Sequence, residues 1–151
     1  MKKINLIVCL LILFFSCKSE ENKINSNQDS DIETISILDT LQLKLDQGEK
    51  WIANVETHKG VKQMDSIISA FKKENKNDYV ALGTILSKQT SYIIKNCSMK
   101  GEPHDQLHVV LVPMLDEISI LREPTTSIES KEALVRLEQL ILKYFEYFKV
   151  N

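Results

Sequence analysis

The stretch LHVVLVPMLDEISIL, residues 107–121, decides the fold of this chain. Its apolar residues recur every three or four positions, which is the period of one face of an α-helix. The spacing predicts an amphipathic helix from about residue 103 to residue 121, with one face turned toward a core. The residues on that face are Leu107, Leu111, Met114, Leu115, Ile118 and Leu121.

Three further segments show the same period, at about 55–73, 78–96 and 127–149. Polar or proline-containing breaks separate the segments, and Asn77 and Ser127 are suitable residues to cap the helices that follow. Because short loops between helices of similar length make neighbours antiparallel, residues 55–151 are predicted to form an all-α, up-down-up-down four-helix bundle. The expected inward residues of these three helices are Thr57, Val61, Met64, Ile68, Phe71, Leu82, Leu86, Ile93, Cys97, Leu134, Leu137, Ile141, Tyr144, Phe145 and Phe148.

Residues 32–54 are predicted to form an N-terminal arm that precedes the bundle. Ile35, Leu38 and Leu41 have helical spacing, so the arm could begin with a short helix. Leu41, Leu43 and Leu45 alternate before a favoured turn at Asp46-Gln47-Gly48, which could form a short hairpin; we favour a short helix or arm followed by an extended stretch that ends at Trp51.

The first 16 residues indicate a targeting signal. They combine two lysines with a short apolar run, and their last residues form the motif Phe14-Phe15-Ser16-Cys17 with the cysteine that follows. This motif resembles the lipobox of bacterial lipoproteins, which implies cleavage before Cys17 and lipid attachment to it. The polar residues 17–31 would then contain the lipidated cysteine and a flexible tether. The expected location is the cell envelope, with the membrane as a partner through the anchor; ordinary secretion is the alternative, and the leaflet is left open.

Charge and motifs argue against several function classes. The formal net charge is −2, and there is no basic stripe, so nucleic acid is not an expected partner. The chain has no glycine-rich phosphate loop and no Gly-x-Ser-x-Gly motif, and we therefore expect a protein that is not an enzyme. A protein partner is left unidentified.

Metal-binding residue types are concentrated in the twelve residues from Cys97 to His108. Thiolate and thioether sulfur suit Cu(I), and imidazole suits copper and zinc. We predict a Cu(I) site in which Cys97 supplies a thiolate, Met99 a thioether, and His104 or His108 an imidazole. Zinc, which prefers four ligands, would need both histidines and a carboxylate or water.

The predicted topology brings other candidate groups to the same end of the bundle. His58 would lie at the start of the first helix, and Tyr144 and Tyr147 near the end of the fourth, where they could surround the metal ligands. A structural interpretation stays open beside this one. In it, Cys97 packs in the core, and the cluster is incidental in an interaction or structural lipoprotein.

The region from about 52 to 150 resembles the cytochrome b562 type of exported four-helix protein. That resemblance implies haem ligation by a methionine near the start of the first helix and a histidine near the end of the fourth. The fourth helix of this chain has no histidine, so copper is a more strongly expected bound group than haem. The segment around Cys97 and His108 also resembles one found in small extracytoplasmic bacterial lipoproteins.

Overall fold

A computed structural model describes residues 40–151 of the chain. It contains four helices, α1 (Val55–Lys73), α2 (Tyr79–Asn96), α3 (Glu102–Arg122) and α4 (Ser127–Tyr147), and two short strands, β1 (Trp51–Ile52) and β2 (Phe148–Lys149). The predicted all-α four-helix bundle is confirmed. The predicted signal peptide, Cys17 and the tether lie outside the described residues. Within residues 40–151, no helix combines the length and the apolar character needed to cross a membrane.

The helices pack as antiparallel neighbours around one apolar core. A glycine near the start of α1, Gly60, faces Ile93 near the end of α2, and Gly83 in early α2 faces Leu121 at the end of α3. Nearly all the side chains that the apolar spacing placed inside are buried. The exceptions are Leu115, Cys97 and Phe145, which are half-buried.

Local side-chain bonds fix where two helices begin. Asp78 caps α2 by accepting a hydrogen bond from the backbone N–H of Ala81 at 2.9 Å. Thr126 caps α4 in a reciprocal capping box with Glu129. The predicted caps were one residue away in each case, because Asn77 precedes the cap of α2 and Ser127 is already the first residue of α4.

The two strands join the arm to the C-terminus. They run parallel, with Trp51 opposite Phe148 and Ile52 opposite Lys149. The prediction that the fourth helix continues to Lys149 is therefore wrong at its last two residues. Phe148 leaves the helix with extended backbone (φ −126°, ψ 146°), and Lys149 accepts a bond from the N–H of Ala53 at 2.8 Å. Phe148 stays buried, because its ring stacks on Tyr144.

The arm lies against the bundle end where α1 begins. Its first described residues pack Leu41 and Leu43 against the core. The backbone N–H of Lys44 donates to the side-chain oxygen of Gln106 in α3 at 2.7 Å, and the Trp51 indole donates back to the Lys44 carbonyl at 2.6 Å. The predicted turn is present, closed by two hydrogen bonds between Asp46 and Glu49, each 2.8 Å long.

Candidate functional site

The turn between α2 and α3 carries the residues predicted to bind metal. Cys97 ends α2 in an extended conformation. Gly101 begins α3 with φ 63° and ψ −148°, a region of backbone space that is essentially restricted to glycine. The Gly101 carbonyl accepts hydrogen bonds from the N–H groups of His104 and Asp105, both at 3.0 Å. The glycine therefore sets the position of the helical turn on which His104 lies.

His104 and His108 form a side-by-side pair on one face of α3. They are four residues apart, and their ring centroids are 4.4 Å apart with the planes tilted by 55°. His104 is half-buried and His108 is exposed. Residues at this spacing are neighbours on a helix surface, so the pair presents two imidazoles on one accessible face.

Cys97 and Met99 lie in the turn that precedes this pair. Both are half-buried and pack against the core, and Cys97 is a free thiol. Across residues 40–151, no three or more His, Cys, Asp or Glu side chains are grouped so that they could hold a metal ion. The structure thus brings the two histidines together, and it does not gather Cys97 with both of them into one preformed set.

His58 lies in a separate contact with the end of α4. Its Nδ1 atom is 3.3 Å from the Tyr144 hydroxyl oxygen, and its ring packs edge-on to Phe145. Burial lowers the pKa of His58, and the positive charge of Lys62 lowers it further. Burial raises the pKa of Tyr144 far above its ordinary value, and the electrostatic effect of the nearby Cys97 side chain adds to that rise. His58, Tyr144 and Cys97 therefore share the end of the bundle where the arm also lies.

Several hydrogen bonds that stabilise this end were not predicted from the sequence. The Asn54 amide donates to the Asn96 carbonyl at 3.0 Å, which ties the start of α1 to the end of α2. Lys50 Nζ donates to the Phe145 carbonyl at 2.7 Å. Tyr147, predicted to lie near the site, is half-buried against the core as the last residue of α4. Gln106 is buried and binds the arm. In the sequence it is marked only by its place directly before the inward Leu107.

A buried ion pair lies farther along α3. The Glu117 side chain is only 8% exposed, and its Oε1 accepts a hydrogen bond from Arg136 Nε of α4 at 2.9 Å. Its second oxygen is buried without a hydrogen-bond partner among the described residues. The pair joins α3 to α4.

Comparisons of this chain with protein-family models, curated proteins and solved structures find no match. The resemblance to bacterial lipoproteins therefore rests on the motif that ends at Cys17. The resemblance to bundles of the cytochrome b562 type stays a prediction from the sequence, and what the structure shows is a four-helix bundle.

Proposed function

We propose that this chain is a lipid-anchored protein of the bacterial cell envelope that binds Cu(I) at the end of the bundle formed by the α2–α3 turn. The observation that carries the proposal is the pair formed by His104 and His108, whose ring centroids lie 4.4 Å apart. The role is metal binding or delivery, without catalytic turnover. The lipid anchor is Cys17, proposed from the motif in the sequence.

The chemistry of the surrounding residues favours copper over zinc. Two neighbouring imidazoles supply nitrogen ligands, and Cys97 and Met99 add soft sulfur in the turn just before them. Cu(I) is satisfied by two or three such ligands, whereas a zinc site usually takes four. The turn that carries the two sulfur residues is exposed at Ser98 and Lys100, so it lies at the surface beside the histidine pair.

Haem fits this bundle less well. The predicted haem ligands of the b562 type include a histidine near the end of the fourth helix, and α4 contains none. Tyr144 and Phe148 fill that end with stacked rings 5.0 Å apart. These buried rings occupy core space that a haem ring would need.

The second candidate is an interaction or structural lipoprotein that binds no metal. The observation in its favour is that Cys97 and Met99 both pack against the core. Each then serves as an apolar contact that fixes the turn, which is a common role for a buried cysteine or methionine. The two candidates differ in whether the histidine pair takes up copper.

The test is a Cu(I) titration against a chromophoric Cu(I) chelator under reducing conditions. We expect one Cu(I) per chain, and about tenfold or greater weakening in at least one of His104→Ala and His108→Ala, because the site takes an imidazole ligand from this pair. Cys97→Ser should weaken binding most, since it removes the one anionic ligand, and Met99→Leu should weaken it less. His58→Ala is the matched control. It also removes an imidazole from this end of the bundle, but that imidazole contacts Tyr144 and is not a proposed copper ligand.

Two outcomes would contradict the copper proposal. One is a wild-type chain that takes no Cu(I) from the chelator. The other is a set of four variants that all bind Cu(I) as tightly as the wild type. Either result would leave the interaction or structural role as the better account.

A further inference from the structure

Exposed apolar residues gather at the end of the bundle where the arm joins it. They are called the arm face here and are Leu45, Ile52, Val55 and Val150. Val55, the first residue of α1, is 66% exposed. Ile52 lies in β1, and Val150 follows β2, so the pairing of the two strands places them in adjacent segments. Other exposed apolar residues lie elsewhere, including Val80 and Ile128 at the opposite end, but the four residues of the arm face lie in adjacent segments, and such a group is typical of a contact surface.

The chain that leads to the proposed anchor leaves the fold at this same end. Leu41 and Leu43 pack on the core, and Lys44 is bonded to Gln106 near the start of α3. Between Cys17 and Thr40 there are 22 residues. The arm end is therefore the part of the described fold that is nearest to the proposed anchor along the chain.

We propose that the arm face lies against the surface of the lipid bilayer to which Cys17 is attached; this inference rests on the lipid anchor of the proposed function. The apolar side chains enter the boundary between headgroups and acyl chains. Because Lys50 Nζ donates to the Phe145 carbonyl and Lys149 Nζ is paired with Glu49, the attraction to the bilayer is mainly apolar and depends little on salt.

This orientation has a consequence for the histidine pair. His104 and His108 lie in the first two turns of α3, which begins at the same end of the bundle as the arm face. The proposed copper site therefore lies near the membrane surface.

The test uses the lipidated full-length chain in vesicles of phosphatidylethanolamine and phosphatidylglycerol that contain a phospholipid with a nitroxide on its acyl chain. A fluorescent label is placed at Val55→Cys, and in a second protein at Ser127→Cys, both in a Cys97→Ser background. The two positions are matched, because each is the exposed first residue of a helix, and they lie at opposite ends of the bundle. Flotation of the vesicles measures the anchor separately.

We expect both proteins to float with the vesicles, and the label at position 55 to be quenched several-fold more than the label at position 127. Adding Ile52→Glu should reduce the quenching at position 55 while flotation is unchanged. Equal quenching at the two positions in floating protein overturns the arm-face proposal and leaves the anchor intact. Loss of flotation overturns both. A label at position 55 that is shielded in a dimer, and unaffected by the nitroxide lipid, assigns the face to a second copy and also overturns the proposal.

Discussion

The two ends of the bundle are held together in different ways. At the end with the α1–α2 and α3–α4 loops, short-range hydrogen bonds fix the starts of α2 and α4. They join residues three positions apart, Asp78 with Ala81 and Thr126 with Glu129. At the other end, the principal bonds join residues far apart in sequence. Lys44 binds Gln106 across 62 positions, and His58 contacts Tyr144 across 86.

The difference distinguishes stability that comes from local hydrogen bonds from stability that comes from contacts between distant parts of the chain. A capping box forms wherever its short motif occurs at the start of a helix. The long-range contacts of the arm end form only after the elements that they join have packed together. The histidine pair, the free thiol and the arm face all lie at that end, so the residues with candidate functions depend on the non-local part of the structure.

The largest expected effect is the loss of a core side chain that serves both ends. Leu111 is buried at the centre of the inward face of α3. Leu111→Ala should lower the free energy of unfolding by about 2–5 kcal/mol, because it removes buried apolar surface and leaves a cavity. The neighbouring Val112→Ala is the control, since Val112 is half exposed, and it should change stability by less than about 0.5 kcal/mol.

Chemical denaturation followed by Trp51 fluorescence and by helix circular dichroism checks this prediction at the arm end and over the whole bundle together. We expect the two signals to change at the same denaturant concentration, because all helices share one core. An unfolding midpoint of Leu111→Ala equal to that of the wild type would show that this face of α3 does not form the core. Separate transitions for the two signals would show that the arm end folds independently.

A smaller effect is expected from two glycines at the arm end that have positive φ angles. Gly101→Ala and Gly48→Ala each place a side chain where the backbone favours glycine, with nothing within 4 Å of the added carbon. Each should cost about 1–3 kcal/mol of stability through backbone strain. Gly101→Ala should also weaken Cu(I) binding, because Gly101 positions the first turn of α3; Gly48→Ala should not. Equal Cu(I) affinities in the two variants would show that the backbone conformation at Gly101 does not determine copper binding by the histidine pair.

The contrast between local and distant bonds can be tested directly with one substitution at each end. Thr126→Ala removes the cap of α4 and should cost about 1 kcal/mol. Gln106→Leu removes the acceptor for the Lys44 N–H and should cost about as much. Amide hydrogen exchange distinguishes them, because only Gln106→Leu should speed exchange at Lys44. Faster exchange at Lys44 in Thr126→Ala would mean that the two ends are not distinct.

The smallest expected effect is a dependence of stability on pH at His58. Its pKa is lowered in the folded chain from 6.5, mainly by burial, so the folded state favours the neutral ring. Stability is therefore fully present above about pH 6.5 and is lost as the pH falls through the lower pKa of the folded state. His58→Gln should flatten this dependence between pH 7 and pH 5, measured as the denaturation midpoint, while His104→Gln should not. If the stability of His58→Gln depends on pH as steeply as that of the wild type, another titratable group causes the dependence.

The local patterns explain how far the fold could be predicted from the sequence. The apolar spacing in residues 107–121 identified both the helix and its buried face, because a helix needs only a periodic stripe to pack on a core. The end of the fourth helix could not be predicted in the same way. Tyr144, Phe145 and Phe148 continue the helical spacing, and the helix ends because β2 pairs with Trp51, almost a hundred residues earlier.

The candidate site was predictable to a similar extent. The spacing of four residues between His104 and His108 was sufficient to predict that they lie on one face of a helix. The position of Cys97 and Met99 relative to that pair depends on a turn whose path is set by Gly101 and by packing on the core. Spacing in the sequence does not determine such a path. The contact of His58 with Tyr144 likewise requires the packing of α1 against α4.

The most direct test of the account is copper K-edge X-ray absorption on the Cu(I)-loaded chain and on a His104→Ala, His108→Ala double variant. The account predicts one copper per wild-type chain, with scattering typical of histidine imidazoles together with a sulfur ligand, and loss of the histidine scattering in the double variant. A copper environment without histidine in the wild-type chain, or the same spectrum in both proteins, would contradict the assignment of the site to His104 and His108.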